Sequence, residues 1–448
     1  MDKKNYGPVS NLESVSKALE IIVNQQVLRY FDVNKLIPSS QFGFRARRST
    51  FHAVASMHET WLKNYEEGKS SLAALFDLSA AFDTLNKDIF CSKLAVYGFD
   101  KKSIDWFNSY LSGRSQVVLV GASLSEKCDL TIGSPQGAIL SPTIFIILVS
   151  DIGLWTKSVI FSYADDTTAI ISNSDQTLLA KECEEEAANV IKFMSANKLA
   201  ANSDKTHIIV MRRAKRNDDE ITVRIGGYEI KESNMENLLG IIVDSDLTWK
   251  SHVNNLGKKL KFRLFTLRRL SRSIPRPMLK TIADGIFLSQ VRYGLPLYCP
   301  LRLKQNDPNP VILMQLKKVF NDCLRLLINK SWEDHASIRE MLEELKWSSI
   351  NQLCAETRLI EAWKTVHEED YYMQDVLSIK KKSEHMSMAT RSSGTERLEQ
   401  GVINKFTNGR FVNPTARIWN ECPKDIKEEI KFERAKVLIK EYCKTLPI

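Results

Sequence analysis

The stretch that most constrains the fold is Tyr163-Ala164-Asp165-Asp166. Val159, Ile160 and Phe161 precede it, and Thr167, Thr168, Ile170 and Ile171 follow. Two β-prone apolar runs joined by a short polar turn specify a β-hairpin. Its tip then carries two adjacent carboxylates, which repel unless a positive charge sits between them. Among 54 acidic residues, a bare Asp-Asp is also compatible with a turn that merely faces solvent. Function depends on whether other residues converge on it.

A second carboxylate has a suitable position. Ser71 to Phe76 is a short apolar strand that delivers Asp77 at its C-terminal end, where sheet-based sites commonly lie. The alternative is a helix cap supplied by Asp77 or Ser79. Asp83 falls on the next helical turn and is structural. After the hairpin, Gln176 to Ala196 is an amphipathic helix with Leu178, Leu179, Ala187, Val190, Ile191 and Met194 on one face and Glu184, Glu185 and Glu186 toward water. His207 to Met211 is a strand. Residues 71–211 thus run strand, helices, hairpin, helix, strand, a ferredoxin-like βαββαβ order with insertions. Ile221 to Ile225 and Tyr228 to Lys231 pair across Gly226-Gly227. Leu238 to Val243 is another apolar run.

The segment before the first strand is mainly helical, with Leu12, Val15, Leu19, Ile22, Val23, Val27 and Leu28 at helical spacing. Within Gln41 to Thr50, a glycine between Phe42 and Phe44 is followed by Arg45, Arg47 and Arg48. Such a loop either offers cations to phosphates or is a solvated basic surface. Lys87 to Leu111 is helical, and a hairpin follows around Gly121. Gly133-Ser134-Pro135-Gln136-Gly137-Ala138 is a stiff turn opening into a helix from Ser141 to Ile152; small residues there let a ligand approach the backbone. A plain loop and helix start is the other possibility.

At 448 residues the chain exceeds one typical domain. Hydrophobic content of 43% and charged content of 26% suit a globular core. The net charge of +9 favours an anionic partner. Eight scattered cysteines lack metal-ligand spacing and are read as reduced thiols. No stretch is long and apolar enough to span a bilayer, and the start carries no secretion signal. Trp249 opens a mainly helical region. From Gly257 to Lys280 there is no acid, but Lys258, Lys259, Lys261, Arg263, Arg268, Arg269, Arg272 and Arg276 oppose a stripe of Leu256, Leu260, Leu264, Leu267 and Leu270. A helix lying along phosphates has this pattern, and so does a membrane-surface helix. Lys380 to Gly401 is a polar linker, and a last segment holds Trp419 and a helix from Pro423 to Cys443.

Taken in order, Gln-x-Gly-Phe-Arg, Phe-Asp-x-x-x-Ala-Phe-Asp, Gly-x-Pro-Gln-Gly, Tyr-x-Asp-Asp and Lys-Thr closely resemble the motifs of the reverse transcriptase family. The chain is most similar to polymerases of non-LTR (LINE-type) retrotransposons near the jockey-like groups. Leu239 to Trp249 resembles the entry to a thumb, and Ile418-Trp419-Asn420-Glu421-Cys422-Pro423 resembles the Trp-Asn-x-Leu-Pro tail of such elements.

The resemblance implies an α+β right-hand polymerase. Residues 1–243 would be fingers and a ferredoxin-like palm with an antiparallel sheet, 244–380 a helical thumb, and 381–448 a linker and helical tail. It implies that Asp77, Asp165 and Asp166 meet at one point and bind two Mg2+ ions, with Mn2+ as a substitute, and that Lys205 assists pyrophosphate departure. Arg45, Arg48, Leu78, Phe82, Gln136 and Gly137 would contact the deoxynucleotide, Phe82 as a gate against the 2′-hydroxyl. For Lys205 and Phe82 the plainer alternatives are a turn lysine and an aromatic core contact. Lys258, Lys259, Lys261, Arg263, Arg268 and Arg269 would grip template and primer. The implied activity is RNA-directed DNA polymerisation, with an RNA template, a DNA primer or target and dNTPs as partners, no membrane and no specific protein partner. The expected location is nucleus or cytoplasm, without secretion.

Two departures from the family pattern stand out. Tyr6-Gly7-Pro8-Val9-Ser10 replaces Tyr-Arg-Pro-Ile-Ser, which removes a fingers cation. Neither an endonuclease nor an RNase H-like region is read, so the expected source is a truncated element copy, a separate gene or a retained remnant. The alternative function is accordingly a catalytically inactive nucleic-acid-binding remnant. An RNA-dependent RNA polymerase is a weaker third reading, opposed by the bulk of Phe82.

Overall fold

The computed structural model describes residues 10–79, 82–201, 206–212, 220–307, 310–368, 371–374, 376–377, 379–381, 396–398 and 411–448. The chain divides into two units, Met1–Ala53 with Gly68–Ser233 and Val54–Glu67 with Asn234–Ile448.

The first unit is built on a six-stranded sheet of β1 (Ser70–Phe76), β2 (Val159–Tyr163), β3 (Asp166–Asn173), β4 (His207–Met211), β5 (Thr222–Ile225) and β6 (Tyr228–Ser233), in the order β5-β6-β4-β1-β3-β2. The run β4-β1-β3-β2 is antiparallel throughout and has the ferredoxin-like order. β6 lies parallel to β4, pairing Ile208 with Glu232, so the sheet is mixed and not purely antiparallel. The cause is the turn at Gly226 and Gly227, with φ of 60° and 88°, which reverses the outermost strand β5 so that β6 returns in the direction of β4.

Six helices accompany the sheet in sequence: α1 (Ser14–Val33), α2 (Thr50–Glu66), α3 (Lys87–Val96), α4 (Lys101–Leu111), α5 (Leu140–Val149) and α6 (Gln176–Ala196). Most of α2 belongs to the second unit. The helix expected over 87–111 is two, because Asn86 caps α3 by accepting from the Asp88 and Ile89 amides and Asp100 caps α4 by accepting from Ser103. Leu72, Ala74 and Phe76 of β1 share one core with α5 and α6 through Ile144, Leu148, Leu179, Val190 and Met194.

Two apolar stripes differ from expectation. On α1, Val27 and Phe31 are buried, but Val15, Leu19 and Ile22 are 80%, 52% and 55% exposed; the core-facing place belongs to Glu20. On α6, Glu186 does not face water but is buried beside Ala187 and Val190.

The second unit opens with a hairpin, Met235–Leu238 against Ile241–Asp244, closed by Leu239 and Gly240 at φ of 51° and 84°. The single apolar run expected at 238–243 is therefore the end of one strand, the turn and most of the other strand of that hairpin. Beyond it lie α7 (Lys250–Leu270), α8 (Met314–Ile328), α9 (Ile350–His367), α10 (Val412–Glu421) and α11 (Phe432–Lys444). Leu256, Leu260, Leu264 and Leu267 of α7 are buried, and α7 packs on α8. In the tail, α10 and α11 both pack on α9. Of the expected linker, Ile379–Lys381 and Glu396–Leu398 pair antiparallel, and residues 382–395 and 399–410 lie outside the described residues. Among the described residues no helix is long and apolar enough to cross a membrane. All eight cysteines are free thiols.

Candidate active site

The carboxylate hairpin owes its position to strand register. Tyr163 pairs with Asp166, which leaves Ala164 and Asp165 as the two-residue turn between β2 and β3. Ala164 has a φ of 55°, in the left-handed region. β1 pairs with β3 as far as Phe76 opposite Thr167. Asp77 therefore leaves β1 at the end where Asp166 begins β3, with Asp165 one residue earlier. Asp77 and Asp165 are half-buried and Asp166 is exposed. One Asp77 oxygen, Oδ2, is buried.

All three side chains are hard oxygen donors, the class that Mg2+ takes, so their chemistry fits a divalent ion. Yet among the described residues no group of three or more His, Cys, Asp or Glu stands close enough to hold a metal ion. The backbone gathers the three acids at one end of neighbouring strands.

The loop at Gln41 braces this turn from outside. Phe42 N donates to Ser162 O at 2.8 Å and Ser162 N donates to Ser40 O at 2.9 Å, so Gln41 bridges Ser162 in parallel. The Gln41 side chain accepts from Gly43 N at 3.0 Å. A methyl group on Gly43 would collide with the Ala164 amide nitrogen and lie 3.0 Å from the Tyr163 carbonyl carbon. Glycine is required there because the loop backbone touches the turn backbone.

Both arginines proposed as phosphate ligands also hold this loop. Arg45 Nη1 donates to Pro38 O at 2.9 Å, and Nη2 meets Asp32 Oδ1 at 3.5 Å. Burial pulls the Arg45 guanidinium below its ordinary pKa, with Asp32 opposing. Arg48 donates to Ser39 O and to Gln41 O and lies over the Phe42 ring at 5.4 Å.

A second brace joins the segment after Asp77 to the Gly133–Ala138 turn. Ser134 N donates to Phe82 O at 2.8 Å, and Gly133 N donates to Leu85 O at 2.8 Å. Phe82 is half-buried with its ring 5.5 Å from that of Phe145. Gln136 Nε2 donates to both Asp83 oxygens at 2.9 Å, while Gly137 is exposed. Residues 82–84 form a turn, not the helical turn expected around Asp83. Leu78 pairs through its backbone with Ala201. Lys205 lies outside the described residues.

Sequence reasoning missed the acids that hold these loops. Glu20 is 2% exposed; its Oε2 accepts from Ile139 N at 2.6 Å and Leu140 N at 3.3 Å, capping α5. Tyr110 donates to Glu20 Oε1 at 3.1 Å, and burial with that carboxylate raises the phenol pKa. Glu186 Oε2 accepts from Lys157 N and Ser158 N, both at 2.8 Å, just before β2. These backbone bonds hold the Glu186 pKa below its ordinary value, although desolvation, the largest single influence, opposes them. Each acid had a legible signal: Glu20 lies seven residues before buried Val27, and Glu186 seven after buried Leu179, so both fall on core stripes.

On α7, Lys258, Lys259, Lys261, Arg268 and Arg269 are exposed. Arg263 differs: it is half-buried, and its Nη1 donates to Ile286 O at 2.6 Å. It departs from the exposed set because the adjacent Asp284–Leu288 turn presents its carbonyl to it.

The chain is similar to a probable RNA-directed DNA polymerase from transposon X-element of Drosophila melanogaster, 23% identical over 344 residues, covering 73% of this chain and 36% of that protein. It is similar also to the RNA-directed DNA polymerase from mobile element jockey of the same organism, 27% identical over 311 residues, 66% of this chain and 33% of the relative. The chain thus spans about a third of the length of these relatives. Among solved structures, telomerase from Candida tropicalis with a fragment of telomeric RNA aligns at a TM-score of 0.40 and 14% identity, covering 81% of this chain and 57% of that one. Residues 1–260 match the family described as reverse transcriptase (RNA-dependent DNA polymerase). With that match spanning the sheet, the carboxylate hairpin and both bracing loops, the chain belongs to the reverse transcriptase family.

Proposed function

We propose that this chain is an RNA-directed DNA polymerase of retrotransposon origin, joining dNTPs to a primer 3′-hydroxyl on an RNA template. The observation that carries the reading is the register that sets Asp77 beside the turn at Asp165 and Asp166 in a chain of this family. Asp77, Asp165 and Asp166 would hold two Mg2+ ions. When bound, the ions supply charge stabilisation for the attacking and leaving oxygens of an in-line displacement.

The chain's own residues then have separable tasks. Gln41, Gly43 and Ser162 fix the turn that carries two of the acids. Phe82 stands against the sugar, its ring held by Phe145. Gln136 and Gly137 line the nucleotide site, and Arg45 and Arg48 keep a basic loop beside the turn. Lys205 would assist pyrophosphate departure. The exposed cations of α7 bind phosphates of template and primer. Nucleus or cytoplasm remains the proposed location.

The test is extension of a DNA primer on RNA with Mg2+, comparing the parent with Asp165→Asn. The expected loss is at least about 10³-fold, as for removal of a principal electrostatic group. Salt-sensitive RNA binding that survives Asp165→Asn, with no extension by the parent at any Mg2+ concentration, would replace this reading with that of a nucleic-acid-binding remnant.

A further inference from the structure

Gly133 has a φ of 84°, and a Cβ there would lie 2.7 Å from the Asp83 carbonyl oxygen. The two strips, 82–85 and 133–136, are thus in backbone contact, and the Asp83–Gln136 pair bridges them. An ionised carboxylate only accepts hydrogen bonds, so the Gln136 amide must turn its nitrogen toward Asp83. Among the described residues, Gln136 Oε1 accepts no hydrogen bond from the chain. Pro135 stiffens the turn beneath it, and Gln136 O accepts from Ser10 N at 2.8 Å, which fixes the backbone as well.

We propose that Asp83 is a positioning residue that locks the Gln136 amide in one orientation, so that the loop offers Oε1 as an acceptor to a hydroxyl or N–H donor of the incoming deoxynucleotide. The proposal rests on the polymerase reading for the identity of that ligand. A free primary amide flips between donor and acceptor faces at little cost. Bonds from Nε2 to both Asp83 oxygens remove that freedom, and a charged acceptor holds an amide more firmly than a neutral one. The lock therefore raises the affinity for a donor group without touching the reacting atoms.

The experiment is a double-mutant cycle on the full chain: parent, Asp83→Ala, Gln136→Ala and the double variant. Two quantities are read, single-nucleotide incorporation on an RNA template with a DNA primer, and equilibrium binding of dNTP. Asp83→Ala should raise both KM and the dissociation constant for dNTP about tenfold, with kcat within about twofold of the parent. In the Gln136→Ala background the same change should add nothing, which a merely structural role would not produce. Asp83→Asn, which keeps the shape but can donate to Oε1, should move KM in the same direction and serves if the alanine variant does not fold. Equal losses in both backgrounds, or a parent-like KM for Asp83→Ala and Asp83→Asn, would overturn the lock while leaving the polymerase reading intact. A parent that binds dNTP with this coupling but never extends a primer keeps the lock and overturns the polymerase. A parent that binds no dNTP removes both.

Discussion

The fully buried charged side chains of the two units meet the backbone with opposite chemistry. In the first, buried carboxylates take amide hydrogens: Glu20 those of Ile139 and Leu140, Glu186 those of Lys157 and Ser158. In the second, buried cations and amides give hydrogens to carbonyls. Arg358, 1% exposed, donates to Phe411 O at 2.7 Å and to Pro296 O at 2.5 Å. Asn351 donates to Arg302 O and Pro447 O, and Gln352 to Lys444 O and Leu446 O. Half-buried carboxylates accept there as well, Glu59 from Phe411 N and Asp244 from Trp249 N, both at 2.8 Å. The difference follows from what each unit must hold. A helix start and a strand entrance expose donors, whereas a chain end and the close of a helix expose acceptors. The first unit uses its acids to fix loops around a turn that itself carries two acids. The second uses its donors to tie the tail to α9.

The largest effect should come from the second unit. Replacing Arg358 with Met removes the donor to at least two buried carbonyls and the thiol contact to Cys354 at 3.5 Å. Urea unfolding should show a loss of about 3–5 kcal/mol, roughly two hydrogen bonds from a charged donor to buried carbonyls. A loss below about 1 kcal/mol would mean that the tail is held by apolar packing and that the contrast between the units is empty.

The next effect depends on pH. His252 Nδ1 accepts from Ile242 N at 3.2 Å, and its ring lies 4.9 Å from that of Tyr298. Burial first, and Lys259 second, pull its pKa from 6.5 to about 4. The unfolded chain therefore binds the proton more readily than the folded one. The stability this confers is complete above pH 6.5 and is lost as pH falls from there toward about 4, by about 3 kcal/mol in all. Denaturation of the parent and of His252→Gln across that window should give a shallower pH slope for the variant. Equal slopes would assign the acid sensitivity to other groups.

Glu20→Ala should cost about 2 kcal/mol, because it leaves the first amides of α5 buried and unbonded. Glu20→Gln keeps an acceptor and should lose less than half of that. If Gln loses as much as Ala, the cap depends on the carboxylate charge and a neutral acceptor contributes nothing.

The smallest pair sharpens the reading of α6. Glu186→Ala should destabilise by about 1–2 kcal/mol, while Glu185→Ala, an exposed neighbour, should stay within about 0.5 kcal/mol. Equal values would return Glu186 to the solvent face that its neighbours suggest.

Much of the first unit was legible because strands and turns write locally. The β-prone apolar runs on either side of Tyr163–Asp166 identified β2 and β3, and Gly226-Gly227 identified the β5–β6 hairpin. The leucine spacing of α7 identified its buried face. The apolar stripe of α1 misled because three of its residues are exposed while an acid takes the inner place. The glutamates at 184–186 misled because three adjacent acids read as one surface, although helical rotation sends only Glu186 inward. The basic loop hid its second task, since the carbonyls that Arg45 and Arg48 engage carry no sequence signal.

By itself, the sequence determined the family, the order of strands and helices, and the identity of the acids at the turn, because motifs and hydrophobic periods are properties of neighbouring residues. Only the tertiary structure decided that β6 runs parallel to β4, that Gly43 is required by contact with Ala164, and that Asp83 meets Gln136 across 53 positions. Those outcomes depend on which distant backbones approach within hydrogen-bonding range. Register and burial set that approach, and no local pattern encodes it.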